Sequence, residues 1–237
     1  MSDPYLRQRV LAGFGPQGQD ALERARVAVV GVGGLGCPAA LYLAAAGVGH
    51  LTLIDSDSVA ASNLHRQILF SPAHVGRPKV HAATEVLGVI APGVRVTPVA
   101  RRLTPDNSVD LLAGHDVVVD STDTFGSRLA VADAAARLGL PVAWGAVQGW
   151  FGQVTVFDGE MGLRDIFPEE PPPDFGVCDA GGVLGTLCGQ VGTAMATETV
   201  KLLTGIGVPL TGRLLVIDAR EGLWRDLDVR RGAGTEE

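Results

Sequence analysis

Three glycines with the spacing G-x-G-x-x-G (Gly31, Gly33 and Gly36) follow directly on an apolar, β-branched run, Arg26–Val32. Glycines so placed allow a tight turn, close approach of a phosphate and close packing of a helix on a strand. Gly34, inside the same loop, adds a further position without a side chain. The helix beyond the loop would present free backbone N–H groups to an anion. Asp55 closes the next apolar run, His50–Asp55, about 20 residues further on, where a carboxylate can hold ribose hydroxyls. Alone, this constellation says nucleotide and favours NAD or FAD.

The segment after the acid changes the balance. Asp55 and Asp57 are followed by Ser62-Asn-Leu-His-Arg-Gln67 and then Arg77-Pro-Lys79. Arg66 and Lys79 could reach triphosphate oxygens over the glycine loop, one as a fork of donors and the other as a point charge. Asn63 and Gln67 could add hydrogen bonds. A dehydrogenase has little use for such cations. A solvated polar loop is the alternative that charge alone leaves open. Asp120 and Asp123 stand at and just past the end of the run Asp116–Asp120. Ligands of open parallel sheets bind outside the carboxyl ends of the strands, where a carboxylate can hold Mg²⁺ on the phosphates.

The elements needed to place these residues are legible as hydrophobic periodicity. Residues 17–25 read as a short helix after an irregular arm over 1–16, and 34–46 as a helix rich in Ala and Leu. Lys79–Ile90 reads as a helix with Pro78 in its first turn, and Phe125–Leu138 as one ending at Gly139. Strands are expected at 26–32, 50–55, 94–99, 116–120 and 141–145. This alternation predicts an α/β fold, a Rossmann-like, mainly parallel sheet with helices on both faces. After residue 150 the pattern changes to an alternating strand (152–157), a proline-containing loop (168–182), a small-residue helix (185–203) and a hairpin (213–217 and 223–229). The expectation is a single domain over 1–237, with a nucleotide-binding half (1–150) and an antiparallel extension (151–237).

Composition narrows the function classes. With 46% hydrophobic and 19% charged residues the chain can fill a globular core. A net charge of -7 disfavours nonspecific binding to nucleic acid or acidic membranes. No apolar run reaches the roughly 18–20 residues of a membrane span, and the polar N-terminus lacks the core of a signal peptide, so a cytoplasmic location is expected. Cys37, Cys178 and Cys188 form neither a disulfide framework nor a Cys-x-x-Cys pair. Cys37 and Cys188 read as packing residues. The scattered histidines show no ligand spacing, and Trp144, Trp150 and Trp224 read as core or interface residues.

Taken in order, Tyr5-x-Arg7-Gln8, Gly31–Pro38, Ala46–Gly49, Asp55-x-Asp57, Ser62–Gln67, Val75–Lys79 and Asp120-x-x-Asp123 resemble the MoeB/ThiF/HesA family, bacterial relatives of ubiquitin-activating enzymes. Gly145–Phe157, Cys178–Leu184, Glu198–Leu203 and Gly212–Asp218 fit as well, so the resemblance covers nearly the whole chain. It implies binding of Mg²⁺ and ATP, and of a small β-grasp sulfur-carrier protein ending in Gly-Gly. AMP would pass to the carrier carboxylate and pyrophosphate would leave. It further implies nucleotide contacts from Gly34, Asp55, Asn63, Arg66 and Lys79, with Asp123 on Mg²⁺. Ser62 and Gln67 lie in the same motif. Arg7 resembles an N-terminal arginine that family dimers insert into the partner's site, so a homodimer is expected. Cys178 aligns with a loop cysteine that some relatives use as a sulfur or acyl acceptor.

Three departures qualify the resemblance. The two Cys-x-x-Cys pairs of many relatives are missing, the first aligning with Gly162 and Asp165, so zinc is not expected. Thr124 follows Asp123 where many relatives have Asn. No rhodanese-like region is present, so the sulfur donor is expected to be a separate protein. Adenylation of another carboxylate (a modified tRNA base or a peptide), an NAD-dependent oxidoreductase and a non-catalytic scaffold for a ubiquitin-like partner remain the competing readings.

Overall fold

The computed structural model describes residues 3–159, 161–168 and 182–230. The strands are β1 (Arg26–Val30), β2 (His50–Ile54), β3 (Arg95–Val99), β4 (Val117–Asp120), β5 (Val142–Gln148), β6 (Phe151–Phe157), β7 (Arg213–Asp218) and β8 (Leu223–Asp228). They form one sheet in the order β3-β2-β1-β4-β5-β6-β7-β8. The pairs from β3 through β5 are parallel, and those from β5 through β8 are antiparallel. The α/β fold with an antiparallel extension is therefore as the periodicity implied.

The strand sequences explain this arrangement. In β1, Val27 to Val30 are all buried, because both faces of a parallel strand are covered by helices. In β8 every residue is exposed and three of six are charged, Arg225, Asp226 and Asp228, which blunts a free edge against further pairing. Gly149 and Trp150 turn the chain between β5 and β6, whose register runs from Val142 against Phe157 to Gln148 against Phe151.

The helices are α1 (Leu6–Arg9), α2 (Gly15–Arg24), α3 (Gly36–Ala45), α4 (Lys79–Ile90), α5 (Ser108–Leu112), α6 (Phe125–Leu138), α7 (Leu163–Ile166) and α8 (Gly185–Thr204). One core joins Leu43 of α3, Leu87 of α4 and Met195 of α8 to Val27, Val29 and Leu51 of the sheet. The second joins Leu112, Val131 and Leu163 to Ala28, Val118 and Trp144. In α8, Glu198 is buried and accepts from Lys201 Nζ at 2.6 Å and the Leu210 amide at 2.8 Å, tying the helix to the chain entering β7.

Four details differ from the sequence reading. The N-terminal arm is not wholly irregular: α1 forms there, and Gln8 Nε2 donates to the Ala46 carbonyl at 3.0 Å. α2 begins earlier because Pro16 suits the first helical turn. Between β2 and α4, where no element was expected, 3₁₀ turns form at Ala61–Asn63 and Pro72–His74. α5 and α7 were missed because five and four residues are too few to show a period.

Candidate nucleotide-binding site

The sheet order reverses between β1 and β4: β2 and β3 lie to one side of β1, and β4 and β5 to the other. Side chains at the carboxyl ends of these strands surround a cleft of about 320 Å³. A crevice at this switch point is where open α/β sheets bind ligands.

The glycine loop forms its floor. Gly31 has φ 87°, which favours glycine, and its N–H is bonded to the Ile54 carbonyl at 2.8 Å. A Cβ on Gly36 would collide with the Gly31 carbonyl and lie 2.7 Å from Ser121 Oγ. Ser121 Oγ itself sits 2.6 Å from the Gly31 carbonyl oxygen, so the loop is clamped from β4. The helix starts at Gly36 rather than Gly34, which leaves Gly33 and Gly34 in the loop that lines the cleft.

At the β2 end, Asp55 accepts from the Val32 amide at 2.7 Å and the Asp57 amide at 2.8 Å. Desolvation raises its carboxyl above the usual range, against the Lys79 charge and these N–H bonds. The Lys79 ammonium is buried, 2.9 Å from Asp57 Oδ2 and 3.9 Å from Asp55 Oδ2. Two carboxylates thus hold one desolvated cation, the form in which a buried charge is tolerated. Asn63 and Arg66 also line the cleft. The Asn63 carbonyl accepts from the amides of Arg66 and Gln67, fixing the turn that presents them. Gln67 is buried against the cleft, and its Oε1 has no hydrogen-bond partner among the described residues.

At the β4 end, Asp123 is exposed in the cleft, and no side-chain hydrogen bond or ion pair holds it among the described residues. Thr124 lines the cleft and caps α6, its Oγ1 accepting from the Ser127 amide at 3.3 Å. This cap gives the Thr a local reason to stand beside the acid. Asp120, 2% exposed, accepts from the Thr122 amide at 3.0 Å and the Thr122 hydroxyl at 2.8 Å. It closes the turn that carries Asp123.

Burial lifts the Asp120 carboxyl from 3.8 to about 6, while the Thr122 bonds and the Arg128 charge pull it down. The folded value lies above the unfolded one, so between those pH values the folded state holds more protons. Stability therefore falls as pH rises through that window, by on the order of 2–3 kcal/mol in all. Asp120→Asn keeps the Oδ1 acceptor and removes the titration. Its stability relative to wild type is expected to rise between about pH 4 and about pH 7. Urea midpoints of both proteins check this, and a pH-independent difference would refute it.

Of the residues singled out in sequence, the structure brings Gly31, Gly33, Gly34, Asp55, Asp57, Asn63, Arg66, Gln67, Lys79, Asp123 and Thr124 to one cleft. Gly36 lies directly beneath it. Ser62 is exposed and outside the cleft lining. Arg7 is exposed on α1 and also outside it. Cys178 falls outside the described residues. Cys37 is a packing residue, fully buried, with its thiol pushed up to about 12 by desolvation. Cys188 is buried as well but also lines the cleft, where a Cβ on Gly34 would lie 3.0 Å from its sulfur. Trp144 is core, whereas Trp150 and Trp224 are about half exposed.

Sequence reasoning missed Arg101, Arg102 and Arg128, which also line the cleft. The position of Arg128 one turn after Asp123 was the available signal.

The fold and its switch-point cleft define a Rossmann-like α/β protein. More particularly, the chain belongs to the ThiF family, which matches residues 5–235. It is 47% identical over 237 residues to the sulfur carrier protein adenylyltransferase of Thermus thermophilus, covering 97% of this chain and 88% of the relative. It is 45% identical over 238 residues to the probable adenylyltransferase/sulfurtransferase MoeZ of Mycobacterium tuberculosis, covering 98% of this chain. The match spans 61% of that relative's length. Escherichia coli MccB, in a crystal structure with ATP, shares the fold with a TM-score of 0.76 at 21% identity, covering 92% of this chain and 67% of MccB.

Proposed function

We propose that this chain is an ATP-dependent adenylyltransferase acting on the C-terminal Gly-Gly carboxylate of a small β-grasp sulfur-carrier protein. The observation that carries this reading is that Arg66, Lys79 and Asp123 line one cleft with the glycine loop and Asp55. The names of the Thermus and mycobacterial relatives favour the same chemistry.

In this reading Asp55 and Asn63 hold the ribose side of ATP, and Gly33 and Gly34 let the phosphates lie against the backbone. A carboxylate oxygen of the carrier attacks the α-phosphorus, the bond from that phosphorus to the bridging oxygen breaks, and pyrophosphate leaves. The attacking group is already ionised, so no general base is required. The barrier is the approach of one anion to another, and Arg66 and Lys79 lower it electrostatically as charge moves onto the pyrophosphate. Gln67 supports the phosphate side with its cleft-facing amide.

One exposed carboxylate without a partner among the described residues fits Mg²⁺, which favours few protein ligands plus substrate phosphates and water. Asp123 would hold it, and the ion would supply further neutralisation of phosphate charge.

Arg7 belongs to the same reading through a second copy of the chain. The arm that bears it is fixed to its own subunit by the Gln8 bonds and by Arg9, which pairs with Glu23 at 2.8 Å. Arg7 itself stays exposed, as a homodimer exchanging this arginine would require. The adenylated carrier would serve a pathway such as molybdopterin or thiamine biosynthesis, in the cytoplasm. No helix among the described residues is long and apolar enough to cross a membrane.

The test is ATP–pyrophosphate exchange with carriers ending in Gly-Gly. Exchange that depends on the carrier, and that survives Cys178→Ala, is the expected result. ATP binding without exchange for any carrier would overturn the reading.

A further inference from the structure

Arg128 is held in an unusual way for a cleft arginine. Its Nε donates to the Thr122 carbonyl at 3.2 Å, and its Cζ lies 5.4 Å from the centroid of the Trp144 ring. Trp144 is 1% exposed and wedged between Phe157 and Phe167, at 6.0 and 5.5 Å between centroids. One edge and one face of the guanidinium are therefore fixed by rigid neighbours. No salt bridge engages it, and its two Nη groups meet no acceptor among the described residues. The buried Asp120 feels its charge, but as the last of four influences.

The position of this cation is informative. The glycine loop, Asp55 and Lys79 occupy the β1–β2 end of the cleft. Arg128 lines the opposite end, with Thr122, Asp123, Ser127, Ala146 and Val147. Asp123 is the acid beside it; Arg101 and Arg102, which follow β3, also line the cleft, but they are exposed and no side-chain hydrogen bond or ring contact fixes them among the described residues. A nucleotide anchored by Asp55 and the loop leaves this end for the second substrate. That substrate presents a carboxylate, and it must be brought beside phosphates of the same sign. A fork of free Nη donors, immobilised before the substrate arrives, matches a carboxylate and loses little rotamer freedom on binding it. The amino end of α6, whose first turn carries Arg128, adds a favourable field for an anion.

We propose that Arg128 is the anchor of a carboxylate subsite at the β4–β5 end of the cleft, receiving the C-terminus of the protein to be adenylated. This rests on the functional reading above and deepens it. Arg128 holds one carboxylate oxygen and leaves the other directed at the α-phosphorus. The Trp144 ring and the Thr122 carbonyl position Arg128.

The experiment compares a Gly-Gly-terminated β-grasp carrier with the same carrier ending in a carboxamide. Both are titrated against the full chain in the presence of a non-hydrolysable ATP analogue. Wild type is expected to prefer the carboxylate by about tenfold to a hundredfold, the range for a hydrogen bond to a charged group. Arg128→Ala and Arg128→Gln are expected to bind the two carriers alike. Arg128→Lys keeps the charge without the fork and should retain part of the preference. Affinity for the ATP analogue alone should change less than about threefold in all of them. A purely structural role would weaken both carriers equally, so a preference that survives in Arg128→Ala overturns the subsite while wild-type exchange leaves the enzymatic reading standing. Absence of exchange in wild type with every carrier overturns both.

Discussion

Asp123→Ala is expected to lower carrier-dependent ATP–pyrophosphate exchange by about a hundredfold to a thousandfold, the scale for losing one preorganised contact to developing charge. The side chain is exposed in the cleft and packs against no core, so the fold should be unaffected. Asp120 and Thr122 shape the turn without it. Exchange measured across a range of Mg²⁺ concentrations separates two causes. If Asp123 holds the ion, the Mg²⁺ requirement shifts upward as the rate falls. ATP binding measured without added metal should remain close to wild type. Exchange within about threefold of wild type would remove Asp123 from the machinery and with it the proposed mode of phosphate neutralisation.

Gly36→Ala is expected to have the second large effect, by a different route. The new methyl would meet the Gly31 carbonyl and Ser121 Oγ, both parts of the clamp between the loop and β4. Backbone cannot rotate away as a side chain can, so the loop must move. Overpacking of this kind costs about 1–3 kcal/mol. The displaced loop should also weaken ATP binding by at least about tenfold, since phosphate contacts tolerate little error in position. Gly88→Ala supplies the contrast. Gly88 lies within α4, and a Cβ there meets nothing within 4 Å. It should stabilise the protein by up to about 1 kcal/mol through helix propensity, with ATP binding unchanged. Urea midpoints and nucleotide titrations of both variants check the pair. A Gly36→Ala protein with normal ATP affinity would show that the clamp does not position the site.

Most of the framework was legible because its signals are local. Buried parallel strands such as Val27–Val30 and Val117–Val119 are continuous apolar runs, and the glycine loop announces itself by spacing. The acids at strand ends follow from the rule that such sheets bind ligands at their carboxyl ends. Short elements escaped: α1, α5 and α7 span too few residues for a hydrophobic period to be read. Thr124 looked like a deviation at a contact position, and the helix cap that gives it a local role depends on φ and ψ.

What the amino-acid order determined by itself was the class of fold, the order of its strands and helices, and the residue types able to hold a nucleotide. These follow from periodicity and short-range spacing, which a linear chain records directly. Tertiary structure alone decided which charges meet. Lys79 and Asp57 stand 22 positions apart and pair at 2.9 Å. Cys188 arrives beneath Gly34 from the far end of the chain. Arg128 becomes a fixed cation because Trp144, on a neighbouring strand, lies under it and the Thr122 carbonyl accepts from its Nε. Such meetings are set by strand order and helix packing, which depend on the whole core and leave no mark at any one position in the sequence.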